Sequence, residues 1–334
     1  MISKMNKTAF YIFTVVICIC SYLTADAQTT ASASEDSITN QLSKVEELQV
    51  WVNDNLFPGM FDENNPIPMM IFTDNSVLSF NPDSTWLSIF KPRKIGSTNK
   101  GKLYYLTNEV NPNFMMMVMG APYEQGAYEK PWYYTKPWVF CSTYIQAHKL
   151  IPGIKDERDW YTMLLHECSH VWQQRHPEFL TAISNFEQLY GGPEQVGNIH
   201  KQDTILYNAL KLENDALLGA LYADNADNEQ REINRFLQLR ADRKKLMLDN
   251  GYPEGLVRFC DMQELAEGQA RYIEYNLGKH LDLYEENDLR WGDIDKNGWF
   301  YATGFNLYNL LKKRGFNLVN AYTGDILPFD HYLK

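Results

Sequence analysis

The sequence predicts an α+β fold, with a strand-rich first half and a mostly helical second half. Between 66 and 141, short aromatic and aliphatic runs are separated by turn residues. From about 156 onward, apolar residues recur at helical spacing over long stretches. The 334 residues, 45% of them hydrophobic, are ample for a sizeable core.

In chain order, Ile38, Leu42, Val45, Leu48 and Trp51 place a helix over about 37–56. Strands are expected at Ile67–Phe72, Val77–Phe80, Trp86–Phe90, Leu103–Leu106, Phe114–Met119 and Trp138–Cys141. Asp74-Asn75, Asn81-Pro82, Gly96 and Gly120-Ala121-Pro122 mark the turns between them. Asp156 and Glu157 open the next helix, with acidic residues at its positive end. Further helices are expected over about 204–222, 228–248, 262–277 and 302–313, the last stopped by Gly315. Residues 37–334 read as a single unit, with 37–150 strand-rich and 151–334 helical.

The first residues read as an export signal. Lys4 and Lys7 supply a positive n-region, Ala9 to Leu23 an apolar h-region, and Ala25-Asp26-Ala27 a small-residue cleavage site. The apolar run is short for a membrane span, and Ile17 and Ile19 precede Cys18 and Cys20 where a lipoprotein signal wants small residues. Residues 1–27 are thus expected to be a signal peptide and 28–36 a polar tether. The remainder is expected to be exported, periplasmic or extracellular, without stable membrane insertion.

A net charge of −11 argues against a nucleic-acid or anionic-membrane surface. Beyond the signal only Cys141, Cys168 and Cys260 remain, so at most one disulfide can form and stability must rest on the core.

His166, Glu167, Cys168, Ser169 and His170 spell H-E-x-x-H inside a predicted helix. Positions i and i+4 share a helix face, so His166 and His170 can offer two imidazole nitrogens to one Zn²⁺, with Glu167 placed as general base toward the attacking water. Apart from Glu167, no charge interrupts Tyr161 to Trp172, as befits a buried helix rather than a solvated face. Cys168, two residues from His166, points off the ligand face and reads as a small buried residue. His176 falls off that face too, so a third ligand must come from a later helix.

The stretch Glu264 to Glu274 contains E-G-x-A-x-Y and resembles the corresponding segment of the gluzincin metallopeptidases, such as the aminopeptidase N type. That resemblance implies a zincin-like fold in which Glu267 is the third zinc ligand, and Gly268 and Ala270 would let its helix approach the H-E-x-x-H helix closely. Glu213 shows the same E-x-x-A spacing and competes for the ligand role, and the glutamate not used could hold a ligand histidine by its other ring nitrogen. Over about 160–315 the chain also resembles a group of exported bacterial H-E-x-x-H proteins. The shared features are Trp172-Gln173, the L-E-x-x-A-L helix of Glu213, Arg240 and Arg243, the E-G-x-A-x-Y helix, and Tyr301 to Gly304.

The chemistry expected is hydrolysis of a peptide bond in a peptide or protein substrate, with Tyr272 as candidate oxyanion donor and His200 and His280 as further donors. The G-x-M-E-N segment that binds a free amine in aminopeptidase N relatives is missing, which favours a reading other than aminopeptidase. Trp138 lies on a strand that an extended substrate could join if it is a sheet edge. The alternative function is a non-catalytic exported binding protein that uses Tyr123, Tyr128, Trp132, Tyr133, Tyr134 and Trp138 to stack on glycans or grip a peptide, beside a vestigial metal site.

Overall fold

Ten α-helices and six short strands make up the regular structure of the described residues, and the order is α+β as the sequence predicts. The computed structural model describes residues 35–73, 76–107, 116–119, 137–151, 153–284, 292, 294 and 298–334. The signal expected at 1–27, most of the tether and the aromatic stretch Tyr123 to Tyr134 lie outside these residues. No helix among them is long and apolar enough to cross a membrane.

The chain divides into two compact units. One holds the described residues up to Arg175 together with Gln269–Asp288, and the other holds His176–Gly268 and Leu289–Lys334. The sequence places the change from strands to helices near 150. The units divide later, because the H-E-x-x-H helix packs on the sheet and belongs with the strands.

The first unit contains α1 (Glu35–Asn55), β1 (Met69–Phe72), β2 (Val77–Phe80), α2 (Ser84–Phe90), β3 (Arg93–Ser97), β4 (Leu103–Thr107), β5 (Met116–Met119), β6 (Trp138–Ser142), α3 (Tyr144–Leu150) and α4 (Glu157–Gln174). The start of α1 at Glu35 takes over the last two residues of the expected tether. The strands form one mixed sheet in the order β3-β4-β2-β1-β6-β5, with β1 and β6 parallel and the other pairs antiparallel.

Strand alternation sorts the sheet's side chains. Met70, Phe72, Val77, Trp138 and Phe140 pack with Trp86 of α2 in one apolar cluster. Met69, at the alternate position, meets Cys168 of α4, sulfur to sulfur at 4.0 Å. α4 packs against β5 and β6, and the Trp160 indole N–H donates to the Ser142 carbonyl at 3.1 Å. β6 is therefore an interior strand, and among the described residues the edge on this side is β5.

Trp86–Phe90 is helix α2 rather than the expected strand. Asp83 caps it by accepting from the Trp86 N–H at 2.9 Å, and Trp86 is buried in the core, so capping and packing override a β-prone run.

The second unit contains α5 (Pro177–Tyr190), α6 (Pro193–Gln202), α7 (Thr204–Leu221), α8 (Ala226–Asp249), the first part of α9 (Glu254–His280), α10 (Trp299–Lys313) and two 3₁₀ turns, Leu318–Tyr322 and Phe329–Leu333. α9 begins eight residues before the expected start and continues unbroken past Gly268 into the first unit.

The polar centre of this unit is a buried ion network. Arg240 donates to Glu213 at 2.8 Å and to Glu264 at 2.7 Å, and Arg243 donates to Glu213 at 2.6 Å. Thr303 also donates to Glu264, at 2.6 Å. Burial alone would raise the Glu213 carboxyl, but the two guanidiniums hold it down at about 2. Beside this network α10 crosses α9 at two glycines. A Cβ at Gly304 would run into the Glu264 carbonyl and Gly268 Cα, and one at Gly268 into the Gly304 backbone. The small residue of the E-G-x-A motif thus serves contact with α10, not the approach to the H-E-x-x-H helix expected from sequence.

Two outcomes follow from this packing. Gly304→Ala is expected to lower stability by about 1–3 kcal/mol through overpacking, read from urea unfolding. Glu213 ionises at about 2 in the folded protein, against about 4.5 when unfolded, so its stabilisation is complete above that value and fades as pH falls toward 2. The stability gap between the protein and its Glu213→Gln variant should therefore shrink between pH 6 and pH 3.

Candidate metal centre

α4 begins with a reciprocal cap. The Asp156 carboxylate accepts from the backbone N–H groups of Arg158 and Asp159, and Asp159 accepts from Asp156 N–H at 3.0 Å. From this start, every residue from Trp160 to Gln174 except Met163 is buried. The H-E-x-x-H segment thus sits on a buried, capped helix.

His166, His170 and Glu267 come together, each no more than 5% exposed. One ligand atom from each lies within 4.8 Å of the others. The Nε2 atoms of the two histidines face each other at 3.3 Å.

Their outer nitrogens explain this orientation. His166 Nδ1 donates to Glu274 of α9 at 3.1 Å, and His170 Nδ1 donates to the Gln173 side-chain oxygen at 3.0 Å. Gln173 in turn donates to Gln269 of α9 at 2.6 Å. With both Nδ1 atoms donating outward, the two Nε2 atoms face one point, where a shared proton or a metal cation can be held.

Burial would push the Glu274 carboxyl up, but Arg271 at 3.5 Å and the hydrogen bond from His166 hold it below the usual carboxylate range. It therefore stays an acceptor. Glu267 has an acidic neighbour in Glu187 of α5, whose carboxyl is raised to about 8 by burial and by the Glu267 charge.

Glu167 is buried beside His166, and its charge helps burial raise the thiols of Cys141 and Cys168. All three described cysteines are free and buried.

The other sequence candidates fall elsewhere. Glu213 is gripped by Arg240 and Arg243, which corrects its candidacy both as ligand and as histidine partner, and Glu274 takes the latter position. Tyr272 is buried, and burial raises its phenol. Helical geometry turns it about 140° around α9 from Glu267, off the face shared by Glu267 and Glu274. His200 is buried against Arg243 at 3.3 Å and Trp299, and its imidazole is lowered to about 3, first by burial and then by Arg243. His280 stacks on Trp51 with ring centroids 4.2 Å apart. His176 precedes α5 and is half-buried near Tyr322.

Glu274 and Glu187 were not legible as site residues, because spacing does not say which distant carboxylate a fold returns to a histidine. Glu274 lies 108 residues from His166, and only its position two turns beyond Glu267 on one helix hinted at a shared face. No family model matches the chain, nor does any curated protein or solved structure.

Glu274→Gln should weaken divalent-cation binding about 10–100-fold, since the His166 partner loses its charge. Competition against a chromophoric chelator measures this directly, and unchanged affinity would detach Glu274 from the centre.

Proposed function

We propose that the chain is an exported, gluzincin-type zinc metallopeptidase with a zincin-like fold, which hydrolyses peptide bonds in peptides or proteins. The observation that carries this reading is the pair of Nε2 atoms at 3.3 Å with Glu267 beside them. Two nitrogens at the usual distance from a tetrahedral zinc stand about 3.3–3.4 Å apart, so the residues fit that ion. Two imidazoles and a carboxylate are also the donor set of a catalytic zinc that keeps a fourth position open.

His166, His170 and Glu267 would hold the ion, with Glu274 and Gln173 fixing the rings. Zinc held there supplies Lewis acidity, bringing the pKa of a water near neutrality and polarising the scissile carbonyl. Glu167 accepts the proton from the attacking water and returns it to the leaving amine. The burial of α4 keeps bulk water from competing for these charges. An extended substrate has a place to pair at β5, the edge strand against which α4 packs. The export part of the reading rests on the Lys4, Lys7 and Ala25-Asp26-Ala27 pattern.

Glu167→Gln is expected to retain stoichiometric zinc while peptide hydrolysis falls by about 10²–10⁴-fold. Elemental analysis and peptide-library cleavage, with and without a chelator, give the two readouts. A metal-free protein, or cleavage untouched by both chelator and substitution, overturns the reading.

A further inference from the structure

Gln173 and Gln174 are identical neighbours at the end of α4, and the fold treats them in opposite ways. Gln173 has both amide atoms engaged, its oxygen on His170 and its nitrogen on Gln269. Gln174 is only 3% exposed, and among the described residues neither its amide oxygen nor its amide nitrogen has a partner. Leaving a buried polar group unsatisfied is unfavourable, and a carboxamide with both atoms unmatched is a rare condition. A hydrophobic residue would suit such a place better if packing were its only purpose.

The position of Gln174 points to what it serves. His166, His170 and Gln174 fall at i, i+4 and i+8, so one helix face carries the two rings and, one turn further, the unmatched amide. A primary carboxamide presents one donor and one acceptor side by side. The group that complements both at once is the backbone of one extended residue, whose own N–H and C=O point to the same side.

We infer that Gln174 is a substrate-positioning residue, which pairs with the backbone N–H and C=O of one extended residue of the bound chain, one helical turn beyond the candidate metal ligands. This rests on the peptidase reading above and adds the subsite that would hold the backbone of a residue near the bond being cleaved. Gln173 and Gln174 then divide the work, the first orienting a ligand histidine and the second the substrate.

The test uses the full zinc-loaded protein and two variants. Gln174→Met keeps the shape and removes both polar atoms. It should raise the melting temperature by about 2 °C, because the unliganded protein no longer buries an unmatched amide. It should also raise KM about tenfold, with kcat and zinc content unchanged. Gln174→Asn keeps the amide but withdraws it by one methylene, so KM should rise without the gain in melting temperature. A lower melting temperature or misfolding in the Met variant, or an unchanged KM in both, overturns the inference.

Binding of acetyl-tetraalanine methylamide to the zinc-loaded Glu167→Gln protein, followed by calorimetry, separates this from the parent reading. If wild type cleaves no peptide, the peptidase assignment fails. Binding of the probe that weakens about tenfold on adding Gln174→Met still upholds the amide subsite, and no binding or equal binding overturns it.

Discussion

Two imidazole nitrogens that face each other with their lone pairs are not a resting arrangement unless something positive lies between them. The 3.3 Å approach of His166 and His170 is set from behind, by a carboxylate on one ring and a carboxamide on the other. Both supports depend on α9, which provides Glu274 directly and anchors Gln173 through Gln269. The same helix contributes Glu267. Helix α4 therefore supplies the rings and α9 supplies most of what keeps them oriented.

α9 also answers to the second unit. Three residues before Glu267, Glu264 is bound by Arg240 and Thr303, and the next residue, Leu265, accepts from the Tyr322 hydroxyl at 2.8 Å. Gly268 is packed on Gly304. The residues that resemblance brought together from scattered motifs are mostly parts of this anchorage. The L-E-x-x-A-L glutamate, the R-x-x-R pair and the late glycine hold the helix that carries a candidate ligand, and they are not members of the His166, His170 and Glu267 cluster.

What the sequence reveals follows from how local the responsible physics is. The α4 start was readable because Asp156 caps within its own turn, and the His166–His170 pairing because i and i+4 share a face whatever surrounds them. Periodicity does not disclose α3, α5 or α6, although Pro177 and Pro193 stand at first helical positions and are a start signal in themselves. Strand β3, with Arg93, Lys94 and Gly96, has the polar and glycine content of an edge and lacks the apolar run that marks an interior strand. The partners of the rings and of Glu213 are tertiary facts. An arginine pair claims one glutamate and leaves another for the histidine, and that choice is made by packing rather than by spacing.

The thiol lodged within the histidine motif has its own bearing on which ion this place would accept. Cys168 is turned to Met69 and the sheet, and burial holds its sulfur protonated, with Cys141 in the same condition and Cys260 pushed up to about 12. A soft donor two positions from a ring is thereby withdrawn from competition. Among the described residues the cluster therefore offers an ion nitrogen and oxygen donors rather than sulfur.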